Sequence, residues 1–151
     1  MRYYNTIAPG YNELYGEEQK EKAHLLKKYA KVKGLLLDIG AGTGMATEEF
    51  KDQATCILLD PSIEMLKQAK GMRICAKAEY LPFKDGTFDS IVSLTALHHT
   101  KLRQVLKEVN RVKKKGAVIG ISMLKKAKRD MLALKEYRIR ECNKDVLLMS
   151  S

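Results

Sequence analysis

The fold of this chain is indicated most clearly by one stretch, Leu35-Leu36-Leu37-Asp38-Ile39-Gly40-Ala41-Gly42-Thr43-Gly44. Its first half is a short apolar run, which is typical of a strand buried on both faces of a parallel sheet. Its second half is a loop with three glycines, which let the backbone turn sharply and approach a ligand without a Cβ atom in the way. The stretch therefore predicts a buried strand that carries a nucleoside-binding loop to the carboxyl edge of a sheet.

The spacing of apolar residues in the rest of the chain predicts helices alternating with strands. An amphipathic helix is predicted over residues 17–31, and Gly34 ends it. Further helices are predicted at residues 45–52, 61–71, 101–111 and 125–134, and further strands at residues 55–60, 72–76, 88–94 and 117–123. The Pro and Asp-Gly residues within positions 81–87 predict a loop there. Residues 113–116 are predicted to form a turn that leads into the fifth strand. Two last strands, residues 137–142 and 145–150, are joined tightly at Asn143-Lys144 and predict an antiparallel hairpin.

This alternation predicts an α/β fold with a doubly wound, mostly parallel, seven-stranded Rossmann-like sheet that ends in the antiparallel hairpin. The length of 151 residues suits one domain. The 45% hydrophobic and 30% charged fractions are those of a soluble globular protein, and no stretch approaches the ~20 apolar residues of a membrane helix. The N-terminal residues lack the apolar run of a secretory signal, so we expect a cytoplasmic location.

Cysteine number and charge distribution indicate which partners to expect. Three cysteines without a Cys-x-x-Cys pair suggest neither a disulfide framework nor a zinc site. The formal net charge is +10, and residues 101–151 carry 15 of the 28 Lys/Arg but only 5 of the 18 Asp/Glu. The whole imbalance therefore lies in the last third, which is either the footprint of a polyanion such as RNA or a Lys-rich solvated surface.

Asp60 is the second candidate for nucleoside binding. It ends the predicted second strand, where a carboxylate can accept hydrogen bonds from both hydroxyls of a ribose. The alternative interpretation is a helix cap, because Pro61-Ser62 follows and opens a helix. The glycine loop differs from the dinucleotide fingerprint Gly-x-Gly-x-x-Gly, since its last spacing is one residue shorter. This spacing disfavours a nicotinamide oxidoreductase.

Several motifs occur in a familiar order. They are Tyr4-Asn5-Thr6-Ile7-Ala8-Pro9-Gly10-Tyr11, the glycine stretch itself, Leu59-Asp60-Pro61-Ser62, Ala78-Glu79-Tyr80-Leu81-Pro82-Phe83, Phe88-Asp89 and Leu94-Thr95-Ala96-Leu97-His98-His99. In these motifs the chain resembles the class I S-adenosylmethionine-dependent methyltransferases of the UbiE-like, type 11 family. The resemblance implies a single class I methyltransferase domain over residues 1–151. Residues 1–33 would form an N-terminal lid and helix segment, and residues 34–151 would form the core.

The resemblance also implies which residues bind the cofactor, S-adenosylmethionine. They are Tyr11, Asp38, Gly40, Ala41, Gly42, Gly44, Asp60, Pro61, Ser62, Met65, Lys77, Ala78, Glu79, Ser93 and Leu94. The glycine loop would receive the methionine part, Asp38 would orient its amino group and Asp60 would bind the ribose. Ser62 and Met65 would flank the adenine, with Ala78 and Glu79 on its other side and Leu94 near the sulfonium. The family usually has an aspartate where this chain has Lys77, which removes an acceptor for the adenine amino group.

The catalytic residues are not identified by the sequence. His98 and His99 follow the fourth strand and are candidates for bases or substrate contacts. Their alternative role is to position the start of the next helix, and the resemblance marks them only as a family signature. Because a sulfonium is already an activated electrophile, holding the acceptor in line is expected to suffice for direct displacement of the methyl group.

The methyl acceptor is left open by the motifs, since the fold does not determine it. RNA ranks first, because Lys125, Lys126, Lys128 and Arg129 follow the fifth strand at the edge where substrate should arrive and could contact phosphates. A protein or a small molecule ranks next. The N-terminal residues resemble archaeal relatives thought to act on tRNA, some of which pair with a small activator protein. A non-catalytic module that has kept the cofactor pocket is a further alternative.

Overall fold

The computed structural model describes residues 2–94, 96–97, 100–124, 137–142 and 145–150. The helices are α1 (Arg2–Ile7), α2 (Tyr11–Ala30), α3 (Ile63–Lys67) and α4 (Leu102–Val112). The strands are β1 (Gly34–Ile39), β2 (Ala54–Asp60), β3 (Met72–Cys75), β4 (Phe88–Leu94), β5 (Lys113–Leu124), β6 (Tyr137–Cys142) and β7 (Asp145–Ser150). Two 3₁₀ turns, Ala8–Gly10 and Thr47–Phe50, complete the described elements.

The described strands form one seven-stranded sheet in the order β3-β2-β1-β4-β5-β7-β6. Neighbouring strands from β3 to β5 pair in parallel, whereas β7 pairs antiparallel with both β5 and β6. The chain order reverses direction across the sheet between β1 and β4, which is the switch point at which doubly wound sheets bind ligands. The predicted fold class, including the C-terminal antiparallel hairpin, is confirmed.

Helices pack against both faces of this sheet. On one face, Leu26 of α2 and Leu66 of α3 share a buried cluster with Leu36 of β1. On the other face, Val105 and Val109 of α4 pack among apolar side chains of β1, β4 and β5. Each central strand alternates its side chains between the two clusters, as expected for a sheet covered on both sides.

Several predicted helix boundaries are wrong. The helix predicted at residues 17–31 begins at Tyr11 and ends at Ala30, where Lys31 adopts a left-handed conformation with φ of 50°. The helix predicted at residues 45–52 is only the 3₁₀ turn Thr47–Phe50, and the helix expected to reach residue 71 ends at Lys67. Isolated segments this short are poor helix formers, so tertiary packing decides how much of each becomes helical.

The start of β5 also differs from expectation. Residues 113–116 were predicted as a turn, but β5 already begins at Lys113. The register between β4 and β5 is irregular near their start. The step from Phe88 to Ser90 in β4 corresponds to the longer step from Lys113 to Val118 in β5, and Gly116 has a φ of 75°. The three lysines at residues 113–115 lie at the amino edge of the parallel strands.

Three predictions fall on residues outside the described ranges. They are the helix at residues 125–134, with its basic cluster Lys125, Lys126, Lys128 and Arg129, the turn at Asn143-Lys144 and the pair His98-His99. Within the described part of the chain, no helix is both long and apolar enough to cross a membrane.

Candidate cofactor site

The glycine loop turns back against the neighbouring strand. The N–H groups of Gly40 and Ala41 both donate to the carbonyl oxygen of Leu59, at 2.8 and 3.0 Å. Gly40 and Gly42 have φ values of 76° and 57°, in the region that favours glycine. A Cβ atom on Gly40 would lie 2.2 Å from the Cβ of Ala96, so the loop has no room for a side chain there. The loop is therefore held close to the carboxyl ends of β1 and β2, and its glycines have no side chains that would cover the backbone.

A cavity of about 280 Å³ opens at this edge of the sheet. Ten of the predicted cofactor residues line it, namely Tyr11, Gly40, Gly42, Asp60, Pro61, Met65, Lys77, Ala78, Glu79 and Leu94. They come from the N-terminal segment, the glycine loop, the end of β2, α3, the connection after β3 and the end of β4. The sequence motifs thus converge on one place, although they are spread over more than half of the chain.

Five predicted residues do not line the cavity. Asp38 and Ser93 are buried, and the Ser93 hydroxyl donates to the carbonyl oxygen of Ile39 at 2.8 Å. Ser62 is the N-cap of α3, where its hydroxyl oxygen accepts from the Met65 N–H at 3.2 Å. Ala41 packs against the buried cluster that contains Leu36, and a Cβ on Gly44 would lie 2.8 Å from the Leu58 side chain. In this structure they support the residues that line the cavity.

Asp60 is positioned by two backbone donors. Its Oδ2 accepts from the N–H of Gly42 at 2.9 Å, and its Oδ1 accepts from the N–H of Ser62 at 2.8 Å. Burial raises the pKa of this carboxyl, and the two N–H groups counteract that rise. Because a carboxylate oxygen can accept more than one hydrogen bond, both oxygens keep acceptor capacity toward the cavity. The helix cap itself is Ser62, so the capping interpretation of Asp60 is wrong.

Asp38 has a different environment. It is 2% exposed, and its Oδ2 accepts from the Thr47 hydroxyl at 2.6 Å. Burial raises its pKa to about 7, the charge of Asp60 acts in the same direction and the Thr47 hydrogen bond opposes both. This carboxyl therefore sits behind the glycine loop and titrates near neutral pH.

The N-terminal segment packs over the cofactor loops. Ser62 donates its hydroxyl to the Asn5 side chain, and Gln68 donates to the carbonyl oxygen of Ala8. Thr43, inside the glycine loop, donates to Oδ1 of Asn12 at 2.6 Å. Tyr11, in the same segment, lies in the cavity wall, and the lid expected for residues 1–33 stays a prediction.

The connection after β3 links the cavity to α4. Glu79 accepts at Oε1 from the N–H of Lys101 at 3.1 Å, and its carbonyl oxygen accepts from Nε2 of Gln104 at 3.1 Å. Lys101 is the N-cap of α4, so Glu79 holds the start of that helix while it lines the cavity. The exposed Lys77 lies in the same wall and cannot accept a hydrogen bond there.

Five further residues line the cavity but were not predicted: Ile39, Leu59, Ala96, Leu97 and Thr100. Ile39 and Leu59 directly precede the glycine loop and Asp60, so the rule that ligands bind at the carboxyl ends of strands could have found them. The other three follow β4, where no local pattern shows which side chains turn back toward β1. Ala96 and Leu97, together with Leu94 and Met65, contribute apolar side chains to the cavity wall.

These features fit a nucleoside-containing ligand. Bare glycine backbone, a fixed carboxylate with spare acceptor capacity and apolar walls can accept polar hydroxyls and a flat ring in one cavity. A Rossmann-like sheet with this site at its switch point defines the class of nucleoside-binding α/β proteins. Within that class the chain belongs to the methyltransferase domain family, whose model matches residues 37–121. The predicted resemblance is confirmed, and the family's methyl donor is S-adenosylmethionine.

Three relatives illustrate the range of the family. An uncharacterized protein of Methanocaldococcus jannaschii is 39% identical over 119 residues, which cover 74% of this chain and 46% of the relative. A demethylmenaquinone methyltransferase of Corynebacterium urealyticum is 37% identical over 92 residues, covering 58% of this chain and 40% of that enzyme. A human protein named probable tRNA methyltransferase 9B is 30% identical over 115 residues, covering 72% of this chain and 25% of that protein. This chain thus spans about half the length, or less, of these relatives.

Two solved structures share the fold. A candidate S-adenosylmethionine-dependent methyltransferase of Methanococcus maripaludis superposes with a TM-score of 0.81 at 14% identity, covering 97% of this chain and 92% of that one. A candidate methyltransferase of Haloferax volcanii, solved in complex with the Trm112 methyltransferase activator, has a TM-score of 0.74 at 21% identity. That match covers 80% of this chain and 59% of the Haloferax chain.

Proposed function

We propose that this protein is an S-adenosylmethionine-dependent methyltransferase and that its acceptor is RNA. The observation that carries the methyltransferase part is the cavity itself, in which Gly42 and Asp60 are joined by a hydrogen bond of 2.9 Å at the switch point of the sheet. Family membership supports the same activity. Residues 1–33 are proposed as a lid because Tyr11 contributes to the cavity wall.

The chain's own residues would bind and orient the two reactants. Asp60 would hold the ribose hydroxyls, the glycine loop would hold the methionine part, and the apolar wall around Leu94 and Leu97 would exclude water. When bound, S-adenosylmethionine supplies a methyl group on a positively charged sulfur, which leaves as a neutral thioether. Proximity and orientation can contribute up to ~7–11 kcal/mol to such a displacement, so no covalent intermediate on the protein is needed.

The RNA acceptor is supported by charge. The whole excess of +10 falls in residues 101–151, and a relative is named as a tRNA methyltransferase. Lys125, Lys126, Lys128 and Arg129 follow β5, whose carboxyl end adjoins that of β4 in the sheet. Their contact with phosphates stays a prediction, as does the role of His98 and His99. By analogy with the Haloferax complex, we also propose a small activator protein as a partner.

A small-molecule acceptor is the second candidate, because another relative is named demethylmenaquinone methyltransferase. The deciding experiment transfers a labelled methyl group from S-adenosylmethionine into separate RNA, protein and small-molecule fractions of the host, with and without a host activator fraction. We expect label in RNA. Label confined to small molecules or protein would overturn the RNA acceptor and leave the methyltransferase activity standing.

A titration of the protein with S-adenosylmethionine and with NAD tests the cofactor separately. Binding of S-adenosylmethionine without transfer into any fraction would favour a non-catalytic module, and binding of NAD alone would contradict the methyltransferase proposal. Changing Lys125, Lys126, Lys128 and Arg129 together to Gln should flatten the salt dependence of RNA binding without changing cofactor affinity, since these residues lie outside the glycine loop.

A further inference from the structure

A second concave surface lies beside the carboxyl-terminal half of α2, away from the cofactor cavity. It is an open groove of about 620 Å³ lined by His24, Lys27, Lys28, Lys31, Val32 and Gln53. The sequence from residue 24 to residue 33 contains no Asp or Glu. Lys27 is paired with Asp52 at 2.8 Å, whereas Lys28 and Lys31 have exposed side chains. Three of the six residues that line the groove are therefore lysines, and two of these, Lys28 and Lys31, are exposed.

The edge strand β6 extends this positive surface. Arg138 and Arg140 pair with Met149 and Leu147 of β7, whose side chains are buried on the α2 face of the sheet. Directly opposite residues on neighbouring strands point to the same face, so both arginines lie on the side of α2. The Arg140 guanidinium stacks over the Tyr29 ring at 3.9 Å from its centroid, and Lys28 Nζ lies 5.4 Å from the same centroid.

The helix dipole explains only part of this arrangement. Lysines near the end of a helix interact favourably with its carboxyl terminus, and the last glutamate of α2, Glu21, precedes Lys27 and Lys28. Arg138 and Arg140, however, belong to a strand, so the dipole does not account for their position beside α2. Two segments far apart in sequence thus place the cations Lys28 and Arg140 at one partly buried aromatic ring, Tyr29, an arrangement that suits a phosphate backbone.

The distance between groove and cavity restricts the size of a ligand that could use both. Tyr11 lines the cavity and His24 lines the groove, and both lie on α2. At 1.5 Å per residue, the 13 residues between them correspond to roughly 20 Å. A mononucleotide cannot span that distance, whereas a folded RNA can.

We propose that this surface, formed by His24, Lys28, Lys31, Arg138 and Arg140 around Tyr29, binds the phosphate backbone of the RNA acceptor. The proposal rests on the proposed RNA acceptor and adds a docking surface at the opposite end of α2 from the cofactor cavity. RNA is favoured over an acidic protein because stacked aromatic and guanidinium groups recognise nucleic acid strands without requiring a particular sequence.

The test measures binding of the protein to a labelled 20-nucleotide poly-uridine and to unfractionated tRNA between 50 and 300 mM salt. The groove variant is K28Q/K31Q/R140Q. Its control is R103Q/K107Q/K115Q, which removes the same number of exposed positive charges from α4 and the start of β5. A charge-conserving variant, K28R/K31R/R140K, separates loss of charge from loss of folding, and S-adenosylmethionine affinity checks that each variant retains its cofactor site.

We expect the groove variant to lower the salt slope of poly-uridine binding by about 2, at roughly 0.7 per phosphate contact for single strands. The control variant should change the salt slope much less, and the charge-conserving variant should have the same salt slope as the parent protein. Equal reductions in groove variant and control would show attraction by net charge alone and overturn the proposal. An unchanged salt slope in the groove variant would also overturn the proposal. The same holds if the groove substitutions weaken binding to vesicles of anionic phospholipid but do not weaken binding to RNA.

Methyl transfer into RNA, measured for the same variants, separates the docking surface from the acceptor. Methyl transfer into RNA that is unaffected by the groove variant leaves the RNA acceptor standing and overturns the docking surface. Groove-dependent RNA binding without methyl transfer into RNA supports the docking surface and overturns the acceptor.

Discussion

The carboxyl ends of β1 and β2 each carry a carboxylate, and the two differ in what they contact. Asp60 is the last residue of β2, lines the cavity and is held by the N–H groups of Gly42 and Ser62. Asp38 lies one residue before the end of β1 and points to the same face as Leu36, into the layer that contains Thr47. Asp38 pairs with Leu58, so Asp60 lies two positions further toward the carboxyl edge, where it lines the cavity, whereas Asp38 is buried and has a pKa of about 7.

The site thus contains one carboxyl group that lines the cavity and one that is buried outside it. At Asp60, which lines the cavity, two backbone donors oppose the rise in pKa that burial causes. A carboxyl behind the loop is shielded from water, so its charge depends on pH and on what binds in front of it.

Gly42→Val should abolish S-adenosylmethionine binding, because Gly42 has a φ of 57° and its N–H holds Asp60. A branched side chain strains that conformation and fills the space that the ligand needs. Calorimetry measures the loss. Gly86→Val is a matched control, since Gly86 has a φ of 61° and no neighbour within 4 Å of an added Cβ. It should cost stability but keep the affinity, and normal binding by the Gly42 variant would mean that the loop is misassigned.

Asp38 should make the unliganded protein less stable as the pH rises. Its folded pKa of about 7 exceeds the ordinary value of 3.8, so the folded state holds the proton longer than the unfolded state. The free energy of unfolding should therefore fall between about pH 4 and pH 7, by up to about 4 kcal/mol from this group. Denaturant unfolding across this range measures the fall.

Asp38→Asn should remove most of that pH dependence and be more stable than the parent at pH 8, because the amide carries no charge. The pKa of Asp60 is raised as well, so Asp60→Asn should remove a smaller part. A pH profile that Asp38→Asn leaves unchanged would assign the titration to another group.

Asp60→Ala should weaken S-adenosylmethionine binding by roughly 1–3 kcal/mol, the scale of hydrogen bonds lost to a charged group. Isothermal titration at pH 8 measures this change while Asp38 is ionised. Unchanged affinity would remove Asp60 from the cofactor site and reverse the contrast between the two acids.

Thr47→Val should have the smallest effect, about 1 kcal/mol of stability above pH 7, because it removes one buried hydrogen bond and keeps the volume. The Thr47 hydroxyl donates to the ionised Asp38, so its loss should also move the titration of Asp38 to higher pH. The stability difference should shrink toward pH 5, where Asp38 is protonated in both proteins. An equal loss at both pH values would mean that the hydroxyl does not act through Asp38.

Prediction from sequence succeeded where the signal is local. The bounds of β4, β6 and β7 agree with the predicted strands, since apolar runs and turn residues mark both ends. Prediction failed for the helix at residues 45–52, because a short segment takes the conformation that fits its neighbours. Thr47 and Phe50 are both fully buried in that turn, so packing rather than helix propensity decided its form.

The sequence by itself determined the family and the ten cavity residues that its motifs name, because a strand, a glycine loop and an acid at the next strand's end are properties of short segments. Only the tertiary structure decided that Asp38 lies behind the cavity, that the residues after β4 turn back to line it, and that Arg140 stacks on Tyr29. The physical reason is that burial, hydrogen-bond partners and charge proximity depend on which distant segments meet.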